Sequence, residues 1–303
     1  MAPSPSARHA GRLRLACLAL VALVLGSAAM AAQAAPASFL WRITGPKGGT
    51  VFLAGSLHLL SNEYYPLAPA FDEAFAQADL LVEEVHLEEM LAPGSQMLML
   101  RRGMMPAGQT LDSVVSPDTM EAVRAKTAEL GLPLQPLQLF KPWALALTLQ
   151  GMEWQKSGFN GELGLDRHFY DRAQKAGIAV QGLETLEFQI GQFDALPMPL
   201  QDRLLRQTLQ EMDKAGDSLE ALARGWKAGD APAIERLVLA ELKAEPEMYQ
   251  RLLVARNTNW LPKLEALFAR PKPAFVVVGA AHLVGSDGLL ALLTTRGYTV
   301  TQQ

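Results

Sequence analysis

Two segments of similar sequence lie near opposite ends of the 303-residue chain: VFLAGSLHL at residues 51–59 and FVVVGAAHL at residues 275–283. Each contains an apolar run of strand length, then a glycine, two small or apolar residues, a histidine and a leucine. Such a run is typical of a buried strand, and open α/β sheets bind ligands just beyond the carboxyl ends of their strands. The repeat therefore predicts that His58 and His282 meet at one site.

Coincidence is the alternative interpretation, because Gly-x-x-His sequences are common and a lone histidine after a strand is more often structural than functional. Histidine is scarce in this chain, however. Apart from His9 near the N-terminus, the sequence contains only His58, His86, His168 and His282. Two of these four stand in the same context, which favours a shared site.

The hydrophobic patterns of the whole chain predict an α/β protein. They indicate strands at residues 38–43, 50–54, 80–85, 178–183, 275–278 and 298–301. Helical patterns fill about 88–160, where methionine is frequent, and about 200–270, with shorter helices at 69–78, 164–177 and 289–295. We expect a mixed central sheet with a large helical portion, and the two strand-Gly-x-x-His units at the site.

The first 34 residues have the pattern of a secretory signal peptide. Arg8, Arg12 and Arg14 precede an apolar run that ends at Leu25, and Ala-Gln-Ala at 32–34 offers a cleavage site. The run is shorter than the about 20 residues that a membrane-spanning helix needs, although an uncleaved anchor is the alternative. We therefore expect a periplasmic or secreted protein that is not stably inserted in the membrane after cleavage, with residues 35–303 as a single domain.

Charge and cysteine content narrow the possible partners. The chain carries 27 Lys and Arg against 31 Asp and Glu, and its net charge of −4 falls to −7 if a leader with three arginines and no acid is removed. No basic tract is present, so nucleic acid and anionic membranes are poor partners. The only cysteine, Cys17, lies in the leader, so the exported chain forms no disulfide and has no cysteine nucleophile.

Glu84 is the first carboxylate candidate for the site. Alternation along the predicted strand LVEEV at 81–85 puts Glu84 and His86 on one face and Glu83 on the other. A carboxylate and an imidazole two residues apart at a strand end can point into the same cavity. The alternative is that the acidic stretch 83–89 is the solvated start of a helix.

Three further candidates are less distinctive. Glu184 ends the apolar run in GLET at 182–185, a position that matches those of the two motif histidines, but it could equally precede or cap the next helix. Asp166 lies within a predicted helix, where surface exposure is the default expectation. Arg256 is ordinary by its sequence pattern alone.

Two histidines with one or two glutamates form a credible ligand set for a divalent ion. Neutral imidazole and carboxylate suit Zn, Mn, Co or Fe(II), and a catalytic site keeps one position open for water. Such an ion lowers the pKa of its bound water toward about 7 and polarises a carbonyl group, while a nearby glutamate takes the water's proton. The sequence lacks the His-Glu-x-x-His, Walker A and Gly-x-Ser-x-Gly motifs.

The order and spacing of several short motifs resemble the TraB/PrgY/GumN family, which also includes the TIKI-type Wnt-inactivating proteases. The resemblance extends from Trp41 to Val300. Its matching parts are LW at 40–41, GSLH at 55–58, ADLLVEE at 78–84, KPW at 141–143, GLD at 164–166, GLET at 182–185, RN at 256–257 and VVGAAHLVG at 277–285.

The resemblance implies a metal-dependent hydrolase fold in which His58, Glu84 and His282 form the core of the site. By the same resemblance Glu184, Asp166 and Arg256 are further candidates. Two departures stand out: His86 occupies a position where family members often have Asp, and Ser56 replaces the commoner Thr.

The predicted function is therefore hydrolysis of a peptide or related amide by a metal-activated water. His58, His282 and Glu84 would bind Mn, Co or Zn, and Glu84 or Glu184 would serve as general base. Arg256 would stabilise an oxyanion or orient a carboxylate. The main alternative is a protein of the cell envelope that binds a peptide, a pheromone or an apolar ligand without turnover. A scaffold with a vestigial site is a third possibility.

Overall fold

A mixed six-stranded sheet forms the centre of the protein, of which the computed structural model describes residues 37–212 and 215–303. The strands are β1 (Leu40–Thr44), β2 (Thr50–Ser56), β3 (Leu80–Val85), β4 (Ala179–Glu184), β5 (Ala274–Gly279) and β6 (Thr299–Gln302). Their spatial order is β4-β3-β5-β2-β1-β6. Strand β1 runs antiparallel to both of its neighbours, and the remaining pairs are parallel. The predicted mixed sheet is confirmed.

Helices make up most of the rest of the described chain. They are α1 (Pro69–Gln77), α2 (Leu87–Leu91), α3 (Pro93–Gly103), α4 (Pro117–Glu129), α5 (Leu134–Leu137), α6 (Pro142–Lys156), α7 (Leu165–Ala176), α8 (Leu186–Asp194), α9 (Met198–Glu211), α10 (Ala215–Lys227), α11 (Ala231–Ile234), α12 (Ala240–Ala244), α13 (Pro246–Tyr249), α14 (Ala255–Leu267) and α15 (Leu289–Thr295). Two π-helical segments, Glu235–Leu239 and Gln250–Val254, join α11 to α12 and α13 to α14. The large helical portion expected from the sequence is therefore present.

The hairpin that opens the described chain follows the turn chemistry of its sequence. Gly48 and Gly49 connect β1 to β2 with φ angles of 89° and 77°. These left-handed conformations are open to glycine and strained for other residues. A Cβ on Gly49 would also overlap the Phe268 carbonyl oxygen, so glycine is required there for two reasons.

Aromatic rings fill one side of the sheet. The ring of Phe275 in β5 lies 4.5 Å from that of Phe169 in α7 and 5.4 Å from that of Phe75 in α1. All three are buried. Aromatic side chains of this size dominate the energetics of such a core.

Alternation along β3 determines which side of the sheet each of its glutamates faces. Glu83 pairs in register with Val277, two residues beyond Phe275 in β5. Its side chain therefore shares the face covered by α1 and α7, whereas Glu84 faces the opposite side.

A second apolar cluster lies within the helical portion. Its buried members are Leu111, Met120, Val123, Leu145, Ala146, Leu149, Leu205, Leu209 and Met212. They come from α4, α6 and α9 and from the turn before α4, so the two helical regions predicted at about 88–160 and 200–270 share one core.

The predicted signal peptide lies outside the described residues, and its cleavage stays a prediction. Among the helices of the two described ranges, none combines the length and the apolar character that a bilayer crossing requires.

Candidate active site

Four neighbouring parallel strands end at the same edge of the sheet and bring the predicted site residues there. In the order β2, β5, β3 and β4, these strands present His58, His282, Glu84 and Glu184 at or just past their carboxyl ends. The register between β2 and β5 pairs Ser56 with Gly279, the last residues of their strands. The shared site predicted from the repeat therefore has the geometry that parallel strands provide.

Arg256 of α14 connects three of these side chains. It is 7% exposed and donates from Nη2 to Glu84 Oε2 at 2.5 Å and to Glu184 Oε1 at 2.8 Å. Its Nε donates to Glu184 Oε1 at 3.0 Å, and its Nη1 lies 3.2 Å from the Leu252 carbonyl oxygen and 3.0 Å from His282 Nε2. A guanidinium has five N–H donors, and here all five have acceptors. The predicted oxyanion role of Arg256 therefore requires the exchange of one of these bonds.

Glu84 is a buried carboxylate with hydrogen bonds to both oxygens. Oε1 accepts from the Gly279 backbone N–H at 2.6 Å, and Oε2 accepts from Gln189 Nε2 at 3.2 Å as well as from Arg256. Burial alone raises the pKa of Glu84, but the Arg256 guanidinium and the two nearby imidazoles outweigh burial and lower that pKa to about 2. The carboxylate is thus ionised and has little affinity for a proton.

His282 is held as a neutral imidazole in one tautomer. Because arginine can only donate, His282 Nε2 must accept from Arg256 Nη1. Nδ1 then carries the proton and donates to Asn257 Oδ1 at 2.7 Å. Burial lowers the pKa of His282 to about 3, and its ring packs 4.5 Å from that of Trp260. Both ring nitrogens are therefore engaged within the protein.

His58 has a different environment. Its side chain is 58% exposed, and Nδ1 lies 2.9 Å from Asp166 Oδ2. The Asp166 carboxylate raises the pKa of His58 to about 9. The expectation that Asp166 is surface-exposed is wrong: it is 17% exposed and also accepts from Ser56 Oγ at 2.7 Å. The helix-surface default fails because the first turn of α7 packs against the segment that follows β2.

Gly279 lets the candidate side chains come close to the backbone. A Cβ at this position would lie 3.1 Å from Glu84 Oε1, 3.3 Å from His58 Nε2 and 3.6 Å from His282 Cδ2. His58 Nε2 and Glu84 Oε1 thus converge on the Gly279 backbone, and a side chain there would crowd both.

Glu83 occupies a second buried position beside the site. The interpretation of residues 83–89 as a solvated helix start is wrong for its first two members, since Glu83 is 2% and Glu84 7% exposed. Glu83 Oε2 accepts from the Leu87 backbone N–H at 3.1 Å, while Oε1 is buried without a hydrogen-bond partner among the described residues. Burial raises the pKa of Glu83 to about 8.

The remaining two histidines serve local structure. His86 caps α2 by accepting from the Glu88 backbone N–H at 3.2 Å, and its ring lies 6.0 Å from that of Tyr170. His168 packs 5.3 Å from the ring of Tyr65. Neither contacts the cluster around Arg256.

Sequence reasoning missed Gln189 and Trp260. Trp260 Nε1 donates to Glu184 Oε2 at 2.8 Å, and its ring lies under the Arg256 guanidinium at 4.7 Å. Its spacing of four residues from Arg256 on one helix is a signal that could have found it. Gln189 has no such signal, because only the fold brings α8 to Glu84.

The cluster is a poor fit to a divalent ion bound by the three predicted ligands. Within residues 37–212 and 215–303, no group of three or more His, Cys, Asp or Glu side chains is arranged to hold a metal. His282 Nε2, one of the three predicted ligand atoms, has its lone pair directed at Arg256, and a cation beside that guanidinium would be repelled. The arrangement does not fit an ion held by His58, Glu84 and His282 together. Of the predicted ligand atoms, only His58 Nε2 and Glu84 Oε1 lie close to Gly279 without a bond to Arg256.

A cavity of about 450 Å³ adjoins Glu184. It is lined by Leu183, Glu184, Thr185, Phe188, Asn259, Trp260 and Lys263. Its walls come from the loop after β4, from α8 and from α14, which are elements that also build the cluster.

Comparisons with known proteins match nearly all of the described chain. The family model described as TraB/PrgY/gumN matches residues 39–302. The uncharacterized protein YbaP of Escherichia coli (strain K12) is 26% identical over 254 residues, which are 83% of this chain and 90% of YbaP, and YbaP of Shigella flexneri matches to the same extent. No solved structure matches.

Proposed function

Given that the chain belongs to the TraB/PrgY/gumN family, we propose that it is an exported hydrolase that cleaves a peptide or related amide with water. One observation supports this function above the others. Among the site side chains, His58 alone is largely exposed to solvent, and its Nε2 lies beside the Gly279 backbone. Glu84, Arg256 and His282 are engaged with one another.

In the proposed reaction His58 acts as general base. Its Nε2 takes a proton from a water molecule, whose oxygen then attacks the carbonyl carbon of the amide. The resulting imidazolium donates that proton to the amide nitrogen, and the C–N bond breaks to release an amine and a carboxylic acid. A base of this kind contributes about 10²- to 10⁴-fold to the rate.

The Arg256 cluster would orient the reacting groups. Glu84 binds Arg256 and the Gly279 backbone, so it fixes the edge of the sheet beside His58. Glu184 holds the opposite side of the guanidinium. The low pKa of Glu84 favours this electrostatic role over that of general base, the alternative that the sequence left open for Glu84 and Glu184.

A divalent ion stays a prediction from the family resemblance. Mn, Co or Zn would take His58 Nε2 and Glu84 Oε1, and His282 would join them only if it exchanged its bond with Arg256. Metal analysis of the protein beside a His58→Ala/His282→Ala variant, after exposure to each metal and desalting, tests this. Near-stoichiometric metal that the folded variant loses supports the ion, and equal absence in both contradicts it.

Digestion of a peptide library by the protein expressed from the full-length chain tests the proposed function. Products are identified by mass spectrometry for the wild type, for His58→Ala and for His86→Ala as a matched histidine control. We expect cleavage by the wild type and by His86→Ala, with about 10²- to 10⁴-fold less product from His58→Ala. Undiminished cleavage by His58→Ala contradicts the proposal.

Binding of an apolar peptide without turnover is the second candidate. Of the eight large apolar side chains exposed in the described residues, all but Leu237 belong to α2, α3, α8 or the loop at Leu139. They are Met90, Leu91, Met97, Met99, Leu100, Leu139 and Phe188. Such a concentration marks an interaction surface, and methionine adapts to varied apolar partners. Saturable binding of an apolar peptide that is recovered intact would support this candidate over the hydrolase.

Export to the periplasm or out of the cell is part of the proposal. The charge and hydropathy of residues 1–34 support it. Fractionation of cells and the mass of the recovered protein test it: we expect the protein outside the cytoplasm with its N-terminus near residue 35.

A further inference from the structure

The segment that carries His58 is joined to the start of α7 on both sides of the histidine. Before His58, the Leu165 N–H donates to the Leu57 carbonyl at 3.1 Å. After it, Leu60 and Asn160 exchange two backbone hydrogen bonds of 3.3 and 3.0 Å. Backbone hydrogen bonds therefore fix the distance between His58 and Asp166.

Close packing reinforces this junction. A Cβ on Gly164 would lie 2.3 Å from the His58 carbonyl oxygen, so only glycine permits the approach. Asp166 follows two residues later in the first turn of α7, where a carboxylate is stabilised by the helix dipole.

A single oxygen of Asp166 receives two donors. Oδ2 lies 2.7 Å from Ser56 Oγ and 2.9 Å from His58 Nδ1. With the Asp166 side chain 17% exposed, these are charge-assisted hydrogen bonds in a partly desolvated environment, where they are strong. Ser56 holds the carboxylate from the strand side and His58 occupies its outer side.

We infer that Asp166, supported by Ser56, is a positioning residue that determines which nitrogen of His58 reacts. When Nδ1 donates to Asp166, the proton of the neutral ring stays on Nδ1 and the Nε2 lone pair is left free beside Gly279. The inference rests on the proposed function for its catalytic meaning. It applies to His58 Nε2 whether that atom takes a proton from water or binds an ion, since a carboxylate behind a histidine fixes the ring in either case.

The test compares the neutral tautomer of His58 in the full-chain wild type and in Asp166→Asn by ¹⁵N NMR of the imidazole, recorded above the pKa of His58. An asparagine keeps the size of the side chain but removes its charge, so it holds the Nδ1–H form of His58 less strongly than the carboxylate does. We expect the Nδ1–H tautomer in the wild type and a shift toward Nε2–H in the variant. The matched control is Asp171→Asn, since Asp171 lies on the same helix, is 44% exposed and pairs with Arg167.

The second readout is kcat and KM of the same variants, measured on a substrate identified by the peptide-library digestion. We expect Asp166→Asn to lower kcat by about 10²- to 10⁴-fold with KM little changed, and Asp171→Asn to change neither. Ser56→Ala should give a smaller loss of kcat, because it leaves the bond between Asp166 and His58 in place.

An unchanged His58 tautomer in a folded Asp166→Asn protein would overturn the inference. If the wild type cleaves no substrate, the proposed hydrolase function fails, and the NMR comparison still tests the positioning of His58. The two failures are therefore distinguishable.

Discussion

Arg256 Nη2 and Glu84 Oε2 lie 2.5 Å apart although 172 residues separate them in the chain, and each side chain is less than a tenth exposed. The same guanidinium binds Glu184, so two buried carboxylates share one buried cation. Removing one partner of a buried ion pair leaves an uncompensated charge, which is far more costly than the loss of a surface pair.

Replacing Arg256 with methionine should therefore destabilise the protein by about 3–5 kcal/mol, as measured by urea unfolding at neutral pH. The matched control is Arg224→Met, since Arg224 is 66% exposed and pairs with Glu220 on the surface of α10. That variant should lose less than about 1 kcal/mol. Equal losses in the two variants would show that the cluster does not hold buried charges.

Substitution of Gly279 by alanine should lower kcat/KM while the protein stays folded. The added methyl group would lie 3.1 Å from Glu84 Oε1 and 3.3 Å from His58 Nε2, so both side chains must move by a few tenths of an ångström. We expect a fall in kcat/KM of at least about tenfold, because small displacements at a reacting centre are costly.

Gly151→Ala is the control for that substitution. Nothing lies within 4 Å of a Cβ at Gly151, in the interior of α6, and a helical Gly-to-Ala change stabilises by about 1 kcal/mol. Activity should be unchanged. If Gly279→Ala keeps the kcat/KM of the wild type, the reaction does not take place between His58 and Glu84 beside Gly279.

The buried Glu83 should make stability depend on pH. Because burial raises its pKa from 4.5 to about 8, the folded protein keeps a proton that the unfolded chain loses above pH 4.5. The unfolded state thus binds fewer protons between these values, and stability falls as pH rises through this window, by at most about 1.4 kcal/mol per pH unit.

Urea unfolding of Glu83→Gln across the same window measures this effect. The neutral amide should remove the part of the slope that Glu83 contributes. Glu121→Gln, at an exposed position on α4, should leave the slope as in the wild type. A slope identical in all three proteins would show that Glu83 is not a buried acid.

The rate of hydrolysis should rise with pH. The Asp166 carboxylate raises the pKa of His58 to about 9, so the base form is the minority species at neutral pH. We expect log kcat/KM to increase by about one per pH unit below that value and to level off above it. A rate independent of pH between about 6 and 9 would exclude His58 as the base.

The strands that carry the site could be predicted from sequence, whereas the contacts between them could not. Apolar runs ending in Gly-x-x-His indicated β2 and β5 and the meeting of His58 with His282, because parallel strands present their ends at one edge. The strand at 80–85 was predicted with its bounds, and with it the separation of Glu83 from Glu84 on opposite faces.

Tertiary packing determined the rest. Asp166 has the pattern of an exposed helical acid, and only the junction of α7 with the segment after β2 turns it toward His58. Helical periodicity around Arg256 gives no sign that Glu84, Glu184 and His282 surround its guanidinium. The engagement of His282 Nε2 by Arg256, which bears directly on metal binding, depends on this same packing.

Chemical rescue of His58→Ala by imidazole is the most direct test of whether the exposed His58 is the general base. Since His58 is 58% exposed, its removal leaves a position that free imidazole can reach, whereas His282 is 6% exposed with both nitrogens bound. We expect kcat/KM of His58→Ala to increase with the concentration of unprotonated imidazole, and His282→Ala not to be rescued. Full activity of His58→Ala without imidazole, or equal rescue of both variants, would contradict it.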